Sequence, residues 1–285
     1  MVALGSRLVK GCRRRGPRGT VVPPLRVALV GIDGSGKSTV ARLLQGDAGC
    51  AVLSGMRSHT RSDAPLHDLS MSLATASAVA DRTADLRLKL LVLYLQLCMF
   101  GPIERFWLDA CAPDVLVADR HPVIDGPTYL PVFSQRLASA SGGPDLSAVD
   151  PIDLDRILWW ADAQASRLGR SLDPGQLIAE LVGLGELDDG ALLREVPAWL
   201  NCGLPDLVLQ FVVPPEAAAA RLQERGDNRE LHENVRTLAV LDARYDAMAG
   251  RLDQASFRRL DACQSPETVA ELARQAIDEA RAQLC

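Results

Sequence analysis

The sequence predicts an α/β fold: a doubly wound parallel sheet of five strands, with helices on both faces and a helical insert. Three observations carry this. Short apolar, β-branched runs alternate with stretches of helical composition, the pattern of βαβ units. A glycine-rich stretch, Gly31-Ile32-Asp33-Gly34-Ser35-Gly36-Lys37-Ser38-Thr39, lies between the first apolar run and the first helical one. The 285 residues, 48% hydrophobic and 24% charged, suffice for one large domain with a substantial core.

The elements follow in order. Residues 25–30 are a buried strand, and the helix after the glycine-rich stretch begins near Lys37. Residues 48–54 read as the second strand. Residues 55–69 are a polar loop with Arg57, His59, Arg61 and His67. Residues 70–80 are Ala/Ser-rich and helical. Residues 84–109 read as a long buried helix that kinks or breaks at Gly101-Pro102. The third strand, 114–119, ends in Asp119, with Arg120 and His121 behind it.

In the insert, 130–202, Asp150-Pro151 and Asp173-Pro174 open two helices with proline at the first position. Residues 191–200 are a third. Residues 206–213 are the fourth strand, and Pro214-Pro215-Glu216 opens a helix to about 224. A further helix covers about 231–252. Residues 257–261 are the fifth strand, and Ser265-Pro266-Glu267 caps the last helix.

The glycine-rich stretch fits the phosphate-binding pattern G-x-x-x-x-G-K-[ST]. Glycines at 31, 34 and 36 let successive N–H groups turn inward around a polyphosphate. The helix start points its positive dipole end at the same place. Lys37 supplies a charge for the terminal phosphates, and the Ser38 hydroxyl is a magnesium ligand. The chain has only three lysines, Lys10, Lys37 and Lys89, with arginine used elsewhere. Asp119 ends a strand beside this loop, where ligands collect in parallel sheets, so it is the second magnesium candidate.

Charge is uneven. Residues 1–25 contribute +6 to a net charge of −5, which leaves −11 for the rest. An acidic body argues against binding a nucleic-acid polymer. The seven cysteines, at 12, 50, 98, 111, 202, 263 and 285, show neither CxxC nor metal-ligand spacing. They read as reduced thiols of a cytoplasmic protein. Residues 1–24 lack the apolar core of a secretion signal and read as a basic, disordered leader. The longest apolar run, 90–100, is too short to span a bilayer.

Three motifs together resemble thymidylate kinases: the loop Gly31–Thr39; Asp119-Arg120-His121; and Pro205-Asp206-Leu207 with Val213-Pro214-Pro215-Glu216, followed by an arginine-spotted lid at about 221–236. The tail Leu260-Asp261-Ala262 with Ser265-Pro266-Glu267 is similar as well. The resemblance covers roughly 26–129 and 203–282. It implies one kinase domain, 25–285, of the P-loop nucleotide kinase type, interrupted by the insert. It implies ATP binding by Gly31, Gly34, Ser35, Gly36, Lys37, Ser38 and Thr39, and magnesium held by Ser38 and Asp119. Asp33 would face the acceptor and Arg120 the phosphates. Tyr94 would stack on the acceptor base. Arg225 and Arg229 would act from the lid.

The departures from the family all fall on the acceptor side. Its Arg-Glu-Pro-Gly segment is absent, so Arg57 alone stands in. The arginine one turn after the stacking aromatic is Cys98, with Arg105 as a substitute beyond the Gly101-Pro102 break. The insert is far longer than the family's connection.

The resemblance implies magnesium-dependent transfer of the ATP γ-phosphoryl group to a nucleoside monophosphate, dTMP or a dTMP-like nucleotide. A phosphate acceptor needs no dedicated base. The lost acceptor arginines motivate an alternative acceptor, a nucleoside or other small alcohol, for which Asp33 would serve as base. A non-catalytic nucleotide-binding homologue is the third reading. The expected partners are ATP and a small nucleotide-like acceptor, with no membrane. The family's dimer contact through helices beside the sheet would use 86–100, which equally fits a core helix.

Overall fold

The computed structural model describes residues 23–62, 64–138, 142–224, 235–252 and 256–284. Five strands form one sheet: β1 (Leu25–Val30), β2 (Cys50–Leu53), β3 (Val115–Asp119), β4 (Leu207–Val212) and β5 (Ser256–Asp261). Their order is β2-β3-β1-β4-β5, and every pairing is parallel. From β1 the chain winds first towards β3 and β2, then towards β4 and β5. That reversal beside β1 makes the carboxyl ends of β1 and β3 the place for a ligand crevice. Apart from Arg26, Gln210 and the terminal Asp119, the central strands are apolar, because helices cover both faces.

Eleven α-helices are described: α1 (Lys37–Leu44), α2 (His67–Thr83), α3 (Leu86–Cys98), α4 (Phe100–Cys111), α5 (Pro122–Leu137), α6 (Pro151–Arg167), α7 (Pro174–Gly185), α8 (Asp189–Leu200), α9 (Pro215–Glu224), α10 (Val235–Ala249) and α11 (Pro266–Leu284). Asp150, Asp173 and Asp188 cap α6, α7 and α8, each accepting from N–H groups of the first turn. The predicted helix starts at 151 and 174 therefore stand.

The long-helix prediction needs two corrections. The break lies at Met99, between α3 and α4, and not at Gly101-Pro102. A proline ring collides with the carbonyl four residues earlier, here that of Cys98. The interruption therefore falls one turn upstream, and Pro102 rides inside the first turn of α4. Second, the segment Leu86–Cys111 has the length and composition of a membrane-crossing helix, although the longest uninterrupted apolar run is shorter. Within the fold 72% of its most apolar window is buried, and α3 is a core helix.

Helix α5 has no counterpart in the sequence reading. Gly126, Pro127 and Pro131 lower its propensity, and packing holds it. A Cβ on Gly126 would stand 3.3 Å from Val196 and 3.4 Å from Leu200, so α8 sits tightly on that glycine. Helix α5 runs through residue 130, where the insert was expected to begin.

The insert helices lock onto α3. The Trp160 indole donates to the Leu95 carbonyl at 3.0 Å. Trp199 meets Tyr94 edge-on at 6.1 Å, and the Cys98 thiol approaches the Trp199 carbonyl at 3.7 Å. On α2, the Ser72 hydroxyl donates to Asp153 of α6 at 2.7 Å.

Candidate functional site

The loop between β1 and α1 turns on glycines. Gly36 has φ 92° and caps α1 in the left-handed region. Gly34, with φ 81°, passes so close to α9 that a Cβ would lie 2.4 Å from the Ala218 carbonyl oxygen. The buried Lys37 side chain donates to the carbonyls of Gly31 at 2.8 Å and Ile32 at 2.7 Å, and to Ser35 Oγ at 3.2 Å. Burial is the main cause that pushes its pKa down to about 8, and Arg120 adds to it; Asp33, Asp119 and Asp125 pull the other way.

A cleft of about 670 Å³ opens over this loop. Asp33, Gly34, Gly36, Lys37, Ser38 and Thr39 line one end, joined there by Asp119 and Arg120. Gly31 and Ser35 lie beneath the lining, holding Lys37. Arg57 is exposed on the wall after β2.

Arg120 is the centre of a partly buried network. Its φ of 72° puts a non-glycine residue in the left-handed region, a conformation that costs on the order of 1–3 kcal/mol and persists only when over-determined by its surroundings. Here it is. Its guanidinium forms an ion pair with Asp33 and donates to the Tyr129 hydroxyl at 3.3 Å, with Asp125 at 3.8 Å. Tyr129 also donates to Asp33 at 3.4 Å. Asp125 accepts from the His121 N–H at 2.9 Å and from the Tyr245 hydroxyl of α10. The facing carboxylates and Tyr129 hold the Arg120 pKa far above its usual range despite burial. Burial drives the His121 pKa down to about 3, so the ring is neutral.

Other expected residues are elsewhere. Tyr94 is 2% exposed and packs on Trp199, not on the cleft. Positions 94 and 98 share one face of α3, and the insert covers that face. The cleft face of α3 is instead Lys89, Leu93, Gln96 and Leu97. Arg105 is exposed on α4, outside the cleft lining, because the buried side of that helix is Phe100, Ile103 and Glu104. Arg225 and Arg229 lie outside the described residues, as do most of the lid and of the leader. Arg221, at the start of the expected lid, donates to the carbonyls of Gly34 at 3.4 Å and Ala262 at 3.0 Å.

The residues that sequence reasoning missed are Asp125, Tyr129, Tyr245, Asp81 and Lys89. Asp125 and Tyr129 sit in a stretch with poor helix signals. Lys89 had a usable one: with Arg87 it is one of two charges in an otherwise apolar helix, in a chain with three lysines.

Ser38 and Asp119 line the same cleft, and among the described residues no group of three or more His, Cys, Asp or Glu could gather a metal. That sparse oxygen set fits magnesium, which takes most of its ligands from phosphate and water.

No protein-family model matches the chain, and no curated protein matches it. Among solved structures it is similar to a deoxyadenosine kinase from M. mycoides in three states. With dCMP and a flexible dCDP bound, identity is 15% and TM-score 0.45, over 90% of this chain and 100% of that one. With dCTP the values are 15% and 0.42, over 90% and 100%. With dATP they are 14% and 0.43, over 89% and 100%. Likenesses this distant carry nothing about chemistry.

Proposed function

We propose that the protein transfers the γ-phosphoryl group of ATP to a hydroxyl of a small, nucleoside-like acceptor. The observation that carries this is Asp33, a carboxylate on the phosphate-binding loop, facing the cleft and fixed by Arg120 and Tyr129. A hydroxyl acceptor needs a group that orients it and takes its proton as the new bond forms, and Asp33 is placed for that. The grips expected for a phosphate acceptor are thin. Of Arg57, Tyr94 and Arg105, only Arg57 lines the cleft.

The loop amides and Lys37 would bind the triphosphate, with Lys37 exchanging carbonyl partners for phosphate oxygens. Arg120 would hold Asp33 and add positive charge near the transferred group. Ser38 and Asp119 would hold magnesium, which when bound neutralises charge on the phosphates. Arg225 and Arg229 remain candidates for the lid's contribution.

Arg57 on the wall supports a second reading, transfer to the phosphate of dTMP or a similar nucleotide. Incubation with labelled ATP and a panel of nucleosides and monophosphates separates the readings. Product on unphosphorylated nucleosides is expected. Product on dTMP alone moves the assignment to the second reading. Tight ATP binding with no product leaves only a nucleotide-binding role.

A further inference from the structure

The wall of the cleft after β2 carries a donor that phosphate binding does not use. His59 lines the cleft, and its Nδ1 lies 2.7 Å from the hydroxyl of Ser70 on α2. Ser70 is fully buried, and a sealed hydroxyl hydrogen needs an acceptor. Among the described residues the imidazole is the acceptor within its reach. Ser70 therefore donates to Nδ1, which leaves the ring's hydrogen on Nε2. Burial first, then the charges of Arg57 and His67, lower the His59 pKa from its ordinary value, so the ring is neutral at pH 7. Nε2 has no partner among the described residues and is not one of the sealed polar atoms, so its N–H opens to the cleft.

The hairpin of α2 and α3 fixes where along the cleft this donor stands. Only Ala84 and Asp85 separate the two helices, and Lys89 of α3 meets Ser77 and Asp81 of α2, so they run antiparallel. Ser70 lies about three turns before Asp81, roughly 16 Å along the axis. That sets it level with Leu97, at the end of α3 where Phe100 packs on His121 at 4.6 Å, beside Arg120. His59 therefore stands at the reacting end. The turn that carries it, Ser58–Thr60, closes on its own main chain: the Thr60 and Arg61 N–H groups donate to the carbonyls of Arg57 and Ser58 at 3.0 and 3.1 Å. The Thr60 hydroxyl adds a bond to the Arg57 carbonyl at 2.8 Å. The bond to Ser70 is thus not needed to build the turn; it sets the tautomer and the aim of the ring.

Resting on the nucleoside-type reading above, we propose that His59, oriented by Ser70, is a specificity residue whose Nε2–H donates to a sugar hydroxyl oxygen neighbouring the hydroxyl that is phosphorylated. A neutral donor suits a hydroxyl, whereas a phosphate there would favour the charged ring. The class selected is a nucleoside with a free 3′-hydroxyl.

Equilibrium dialysis with the full chain tests this without turnover. The probes are labelled thymidine, deoxycytidine, deoxyadenosine and deoxyguanosine, each against its 2′,3′-dideoxy form. At least one pair should bind with the 3′-hydroxyl form preferred by about 5–50-fold, the cost of leaving one donor in the cleft unmet. His59→Phe keeps a ring but removes the donor, and should bring that ratio near one. Ser70→Ala releases the tautomer and should lower the ratio severalfold. His59→Gln places an amide N–H close to the position of Nε2 and should keep most of the preference. Melting curves check that each variant is folded.

Equal binding within every pair by the unmodified chain overturns the proposal. So does an unchanged ratio in folded His59→Phe or Ser70→Ala. Loss of preference as complete in His59→Gln as in His59→Phe would make the residue a packing element and also overturns it. Binding of none of the nucleosides overturns it together with the nucleoside-type reading. The kinase reading fails separately, if a preferred nucleoside binds but is not phosphorylated with ATP and magnesium.

Discussion

The two ends of the cleft are built by different means. The proposed phosphate end is local: nine consecutive residues directly after β1 supply a turn and a helix start, and the Lys37 contacts run mainly to main-chain carbonyls. The proposed acceptor end is assembled from the side chains of the consecutive helices α2 and α3 and of α5, which follows only after α4 and β3, and its shape depends on which face of α3 the insert covers. The difference teaches where sequence motifs reach. A motif fixes a backbone cradle, but it does not fix which side of a neighbouring helix meets the ligand.

The largest effect that can break this comparison is at the phosphate end. Lys37→Ala should lower turnover by about a thousandfold or more, while circular dichroism shows an intact fold. Near-normal kcat would remove the phosphate assignment.

Next is the insert. Trp199→Ala removes a large, mostly buried side chain packed against Tyr94, and should destabilise by about 3–5 kcal/mol in denaturant titrations. The KM for ATP should stay within about twofold in the folded variant. A selective loss of ATP affinity would tie the insert to the phosphate end.

Asp125→Asn comes third. It weakens the contacts with Tyr245 and Arg120 that hold the left-handed turn. A drop in kcat of about 10–100-fold, with KM for ATP little changed, is the expected signature of misplacing Arg120 and Asp33.

The pH dependence is smaller and its sign follows from Lys37. With a folded pKa of about 8 against the ordinary 10.5, the free protein loses this charge as pH rises through 8. Triphosphate favours the charged form. ATP affinity should therefore be full below 8 and fall by roughly tenfold per pH unit above it, as calorimetry would show. Between 8 and 10.5 the unfolded chain binds more protons at this group than the folded one, so this group's contribution to ligand-free stability rises with pH. Lys37→Met should flatten both trends.

Smallest of all, Arg105→Ala should change neither acceptor KM nor, beyond about 0.5 kcal/mol, stability. A raised acceptor KM would return Arg105 to the site.

Much of the fold was legible. The strand runs at 25–30 and 206–213 are apolar and β-branched, and Asp-Pro pairs mark two insert helices. Asp119 beside Arg120 read as a pair at a strand tip because the strand before it is unbroken. The rest was hidden for physical reasons. Helix α5 owes its existence to α7 and α8 packed on it, which overrides the poor propensity of its glycine and prolines. Tyr94 has the right spacing for a stacking residue, but spacing along a helix does not choose between two apolar neighbours. Lys89 stood out as a rare lysine in an apolar helix, but its partners Ser77 and Asp81 lie on another helix.

The seam between α3 and the insert bears on any attempt to miniaturise the molecule. Trp160 and Trp199 shield a stripe of α3 that would otherwise meet water at Tyr94, Leu95 and Cys98. A shortened chain without residues 151–200 would need that stripe resurfaced with polar side chains, or it would stick to its own copies.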